Sequence, residues 1–142
     1  MRIYLSTQPQ PVDMIKSYTW ISSLDALEKR VGNSEASLIL CDNFLSAFQF
    51  EAIGNVMRTI VSKMRINCEL TILNTDIVML CEKFSKEEID NMMNMMLCGR
   101  GSVKSVLPSS VIEDLLPENI KIMQKHFDLD SSQTCIKARR LS

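Results

Sequence analysis

The sequence predicts an α/β domain in three layers, a mostly parallel sheet between helical layers, closed by an antiparallel hairpin at the C-terminus. Three observations carry that prediction. ASLILC at 36–41 is a continuous apolar run of the length expected for a strand covered on both faces of a parallel sheet. From Phe50 to Ile66 the residues Ile53, Val56, Met57, Ile60, Val61 and Met64 recur at spacings of three and four, which makes a helix with one apolar stripe, and CELTILN at 68–74 follows it as the next strand. The chain then ends in two β-rich runs, at 120–127 and 133–139, on either side of the turn sequence DLDSS.

Taken in order, RIYLS at 2–6 alternates and is rich in β-formers. TQPQP stops that strand, because Pro9 and Pro11 remove ladder donors. SYTWI at 17–21 is a second strand, after which Ser22 is placed to cap a short helix carrying Leu24, Leu27 and Val31 at helical spacing. Gly32 and Asn33 turn the chain into the central strand, and strand, helix, strand from 36 to 74 implies a right-handed parallel crossover. The strand at 68–74 alternates Leu70 and Ile72 with polar neighbours, so it is expected half-covered or near an edge. Asp76 is placed to cap the segment DIVMLCEKF. Ser85 with Glu88 forms a capping box for a further helix ended by Gly99 and Gly101, with Met92, Met93 and Met96 on the apolar face begun by Ile89. Pro108, Ser109 and Ser110 open a shorter helix through Leu116 that Pro117 stops. No repeat, low-complexity tract or long linker interrupts the pattern, so one domain is expected over residues 1–142.

The bulk numbers exclude more than they select. With 46% hydrophobic and 23% charged residues and a formal net charge of -1, the composition is ordinary for a globular chain and gives no electrostatic reason to expect nucleic acid or an anionic membrane. The apolar stretches break well before the ~20 residues a bilayer span needs, and no signal-peptide run opens the chain, so a cytoplasmic protein is expected. Five cysteines without a CxxC pair and a single histidine, His126, make no metal site; the thiols are expected reduced and buried, and His126 on or near the surface.

The element order, carried by MRIYLSTQPQPVDMIKSYTWIS, SLILCDNFLSAF and FEAIGNVMRTIVSKMRINCELTILNTD, resembles the class I S-adenosylmethionine-dependent methyltransferases. Their small forms in bacterial and phage genomes are the most similar, and the likeness covers nearly the whole chain. It implies a shortened, Rossmann-like methyltransferase-type sheet. In that family the first strand runs into a glycine-rich loop that lets the backbone approach the cofactor, and the second strand ends in an acid that binds the ribose hydroxyls. Here the loop reads Ser6, Thr7, Gln8, Pro9, Gln10 and the acid aligns with Ser22, which offers no charged bidentate acceptor. Ile66, Asn67 and Cys68 stand where many members turn with a proline and two glycines, and Ser46 and Ala47 replace an acid and a histidine.

Asp42 and Asn43 leave the central strand at its carboxyl end, where open α/β sheets place their ligands; read from the residues alone, they end a strand and satisfy local backbone donors. Trp20 either packs or stacks on an adenine ring, and the basic run KARR at 137–140 either meets phosphate or, the reading that leads, is a solvated sheet edge. Together these departures lead to the expectation of a non-catalytic methyltransferase-like structural or protein-interaction module, for a phage-type member a virion or assembly component, with no cofactor and with a protein partner or self-association. The alternative is a divergent small S-adenosylmethionine-dependent methyltransferase. In it Leu5, Ser6, Thr7, Gln8, Trp20 and Ser22 contact S-adenosylmethionine, and Asp42 and Asn43 are the catalytic candidates. A third reading, a flavodoxin-like nucleotide-binding or regulatory domain, is separated by strand order. In the methyltransferase arrangement the last strand runs antiparallel between two parallel neighbours, whereas flavodoxin-like sheets end in a helix.

Overall fold

The computed structural model describes residues 1–86 and 103–142. Six strands, β1 (Arg2–Leu5), β2 (Thr19–Ile21), β3 (Ala36–Asp42), β4 (Met64–Thr75), β5 (Ile120–Asp128) and β6 (Gln133–Arg140), form one sheet in the order β2-β1-β3-β4-β6-β5. β1, β2, β3 and β4 are mutually parallel. The last strand, β6, is inserted antiparallel between β4 and β5, which are therefore parallel to each other. This is the methyltransferase-type order, and it removes the flavodoxin-like alternative.

The described helices are α1 (Leu24–Arg30), α2 (Phe50–Lys63), α3 (Ile77–Ser85) and α4 (Ser109–Asp114), with short 3-10 turns at Val12–Met14 and Phe44–Ala47. Leu27 of α1, Met57 and Ile60 of α2 and Ile112 of α4 share one buried cluster with Ile3, Leu5, Ile39, Leu70 and Ile136 of the sheet. All these strand residues lie on one face, since Ile3 pairs with Ile39, Ile39 with Leu70, and Leu5 with Cys41. Right-handed crossovers explain the placement: β2 to β3 and β3 to β4 step in the same direction, so α1 and α2 fall on the same side. The step from β1 to β2 runs the other way, so its connection, residues 6–18, lies on the opposite face. There Tyr4 of β1 is only 3% exposed.

Among the described residues the third layer is thin, because that connection carries only a 3-10 turn. Leu38 and Leu40, expected to be covered on both faces, are half-buried on this side, and so is Leu73 of β4. β4 is half-covered as its alternation implied, but it is an interior strand flanked by β3 and β6. It also begins earlier than its polarity suggested. α2 passes directly into Met64, and Asn67 takes a left-handed conformation, φ 65°, within the irregular start of the β3–β4 ladder. Asparagine tolerates that region better than most residues, which explains how the chain turns here without glycine.

Three further expectations are corrected. The cap of α1 is Ser23, whose hydroxyl accepts from the Ala26 N–H at 3.2 Å; Ser22 precedes it. Ser85 is the last residue of α3 and its hydroxyl bonds back to the Glu82 carbonyl at 2.7 Å, so it opens no helix; Glu88 and the rest of the segment assigned to that helix, to Gly101, lie outside the described residues. KARR is not a sheet edge, because β6 is flanked on both sides and Ala138 is buried.

Candidate functional site

Strand order reverses between β1 and β3: from β1 the chain steps to β2 on one side and later to β3 on the other. Open α/β sheets bind ligands outside the carboxyl ends of their strands at such a switch point. The segments that meet there are Ser6–Gln8 after β1, Ser22 after β2, and Asp42 with Asn43 at the end of β3.

Ser6 is almost fully buried and its polar atoms are committed. Its N–H donates to the Ile21 carbonyl at 3.2 Å, its hydroxyl accepts from the Gln8 N–H at 3.1 Å, and its carbonyl accepts from the Trp20 indole N–H at 3.0 Å. With Pro9 and Pro11 donating nothing, the loop directs few backbone donors outward. Gln10 ties the loop down further, its amide donating to the Met14 carbonyl at 2.7 Å and the Tyr18 carbonyl at 3.3 Å. Thr7, Gln8 and Ser22 are exposed, whereas the Leu5 side chain lies in the core on the helical face. Trp20 is cross-strand from Tyr4, so the two aromatic rings share the thinly covered face, with Trp20 38% exposed.

Tyr4 is the residue the sequence did not single out. Its hydroxyl donates to Asp42 Oδ2 at 2.6 Å, while Asn43 Nδ2 donates to Asp42 Oδ1 at 3.2 Å. Asn43 Oδ1 in turn accepts from the backbone N–H and the hydroxyl of Thr75, at 3.0 and 3.1 Å. A relay from β1 through β3 to β4 thus fixes both candidate side chains, and Asn43 takes a left-handed conformation, φ 49°, in making it. Burial, then the bond to and charge of Asp42, pushes the Tyr4 phenol up to about 12, so it stays protonated and donates. Burial first, and the Asp42 charge second, raises the neighbouring Cys41 thiol well above its ordinary value, which makes it inert as a nucleophile. The signal for Tyr4 was present as a polar-tipped aromatic in an otherwise aliphatic strand, but its partner lies 38 residues away.

The remaining candidates play structural parts. Asp76 is 2% exposed; Oδ1 accepts from the Val78 N–H at 2.8 Å, capping α3 as expected, and Oδ2 accepts from the Ser109 N–H and the Thr134 hydroxyl, both at 3.0 Å. His126 is exposed on β5, opposite Cys135. Among the described residues no group of three or more His, Cys, Asp or Glu is placed to hold a metal ion, and no helix is long and apolar enough to cross a membrane.

No protein-family model matches the sequence, and no curated protein matches it. Solved structures do match by fold. A SAM-dependent methyltransferase from Archaeoglobus fulgidus superposes with a TM-score of 0.55 at 11% identity, over 96% of this chain and 74% of that one. The 1,6-didemethyltoxoflavin-N1-methyltransferase of Burkholderia thailandensis, solved with 1,6-didemethyltoxoflavin and S-adenosylhomocysteine, gives 0.61 at 11% identity over 99% and 62%. The N-methyltransferase NodS of Bradyrhizobium japonicum WM9, solved with S-adenosylhomocysteine, gives 0.59 at 11% over 99% and 67%. The chain therefore has the class I methyltransferase fold in shortened form, spanning 62% to 74% of the length of these three structures.

Proposed function

We propose that the chain, as one domain over residues 1–142, is a divergent small S-adenosylmethionine-dependent methyltransferase whose ligand seats at the carboxyl edge of the sheet between β1 and β3. The observation that carries this reading is the strand order, with its switch point between β1 and β3 and its last strand inserted antiparallel. Solved proteins of the same fold hold S-adenosylhomocysteine, and a half-buried carboxylate, Asp42, stands at the switch point of this one.

The groups available to an adenosyl ligand are neutral. The exposed side chains of Thr7 and Gln8 and the Ser22 hydroxyl offer hydrogen bonds to a ribose diol, and the exposed face of Trp20 offers a stacking surface. Leu5 contributes no side chain there. Neutral hydrogen bonds in place of a carboxylate cost about 1 kcal/mol or more of binding, at least roughly a fivefold loss of affinity. When bound, the cofactor supplies an electrophilic methyl group. Asp42, held by Tyr4 and Asn43, keeps free lone pairs with which to orient, and accept a proton from, an acceptor group.

Calorimetry and thermal-shift scans with S-adenosylmethionine and S-adenosylhomocysteine test the reading. A saturable heat and a saturable rise in Tm with both ligands are expected, a ligand at a hundred times its Kd adding ~2.7 kcal/mol. No heat and no shift at millimolar ligand would remove it.

One specific observation favours a second reading, a non-catalytic structural or interaction module. The β1 loop satisfies itself: the Trp20 indole closes on the Ser6 carbonyl and the Gln8 N–H on the Ser6 hydroxyl. That reading predicts silence in both adenosyl titrations together with self-association or a protein partner on size exclusion with light scattering.

A further inference from the structure

On the thinly covered face, away from the β1–β3 junction, the strands β4, β6 and β5 enclose a groove of about 420 Å³ lined by Glu69, Thr71, Met123, Gln124, Lys137 and Arg139. The volume lies in the range of small-molecule sites, roughly 300–1,000 Å³. A β-bulge makes room for it. Ile122 pairs with Ala138 and Gln124 with Lys137, which leaves Met123 as the extra residue, 53% exposed. Bulges re-aim side chains and gather next to sites.

The charges are unbalanced. Cross-strand pairing places Lys121 opposite Arg139 and Arg139 opposite Glu69, with Lys137 two residues before Arg139 on the same face. Three cations therefore meet one carboxylate, and that carboxylate is already engaged by Arg139 Nη2 at 2.7 Å. Like charges directly opposite one another across two strands destabilise a sheet, so an anion between them would relieve the pair. Arg139 Nε is buried without a hydrogen-bond partner, and among the described residues Thr71, Gln124 and Lys137 make no side-chain hydrogen bond that would compete for a ligand.

We propose that this groove binds a small organic anion through a carboxylate or phosphate group, held by Lys137, the half-exposed Arg139 guanidinium and the Gln124 amide, with Met123 against its apolar part. The site is separate from the adenosyl reading and stands or falls without it. The test is titration of the ¹⁵N-labelled full chain, in chloride buffer, with inorganic phosphate and with succinate. Saturable shifts centred on Thr71, Gln124 and Lys137 are expected, and the tighter of the two probes identifies the ligand's acid group. Lys137→Met and Arg139→Lys, the latter keeping the charge opposite Glu69 while removing the planar guanidinium donors, should each weaken binding about tenfold, and Lys29→Met on α1 should leave it unchanged. Absence of saturation with both probes at concentrations on the order of 10 mM would overturn the proposal. Equal affinity in the wild type, Lys137→Met and Arg139→Lys would overturn it as well, because the shifts would then report general screening.

Discussion

Asp76 gives the sharpest test of how the carboxyl edge is built. It is nearly inaccessible to solvent and accepts three hydrogen bonds from three parts of the chain, the first turn of α3, the start of α4 and the start of β6. Asp76→Ala removes a helix cap, worth ~1 kcal/mol, and leaves the Ser109 N–H buried without an acceptor and the Thr134 hydroxyl with only the weak Met79 sulfur at 4.0 Å, at about 1–3 kcal/mol each. Water entering the space left by the carboxylate would recover part of that, so a loss of about 3–5 kcal/mol is expected. For a chain of this size about 1 kcal/mol moves Tm by ~3–4 °C, so Tm should fall by about 10 °C or more. Asp76→Asn keeps an acceptor for the Val78 N–H but turns donors toward the Ser109 N–H, and should cost ~1–2 kcal/mol. The assay is urea unfolding followed by circular dichroism, with the midpoint shifting while the slope stays constant. Thr134→Val combined with Asp76→Ala should cost less than the sum of the two single changes, since both remove the same bond. If Asp76→Ala stayed within about 0.5 kcal/mol of wild type, or if Asp76→Asn cost as much as Asp76→Ala, the carboxylate would not be the junction described.

Three other outcomes follow from the same geometry. Tyr4 ionises near 12 in the folded protein against 10.0 for an ordinary phenol, so the unfolded chain gives up its proton first. Stability should therefore fall as pH rises from 10 toward 12 and be unaffected below, with a smaller fall in Tyr4→Phe; identical alkaline profiles for the two proteins would contradict the Tyr4–Asp42 contact. Burial raises the Cys41 thiol, and raises Cys68 to about 11, so iodoacetamide at pH 8 mapped by mass spectrometry should label exposed Cys81 readily and reach Cys41 and Cys68 only after unfolding. Ser23→Ala should lower stability by ~1 kcal/mol through the lost α1 cap, while Ser22→Ala should leave it within about 0.5 kcal/mol, both read by thermal unfolding.

Local signals carried most of the architecture. The apolar run at Ala36–Cys41, the stripe from Ile53 to Val61 and the two β-rich runs around DLDSS each announce their element, because each is decided by a periodicity contained within it. What the sequence could not disclose is settled by partners far away in the chain. Leu38 and Leu40 look like residues covered on both faces, yet the link between β1 and β2 carries only a 3-10 turn, and they are half-buried. Ser22 and Ser23 are equally good caps by type; backbone geometry at Ser23 decides. At the site, Asp42 and Asn43 were legible from their place after an apolar strand, but Tyr4 and Thr75, which hold them, come from two other strands. The committed state of the β1 loop was half visible, in Pro9 and Pro11, and half invisible, in the indole of Trp20 reaching the Ser6 carbonyl across 14 residues.

The proposed function stands on a ligand site at the carboxyl edge between β1 and β3. Amide shifts of the ¹⁵N-labelled chain on titration with S-adenosylhomocysteine test both the binding and its position. Saturable shifts at Thr7, Gln8, Ser22, Asp42 and Asn43, accompanied by a change in the emission of Trp20, the single tryptophan of the chain, are the predicted result. A spectrum unchanged at saturating ligand, or shifts gathered elsewhere on the molecule, would contradict it.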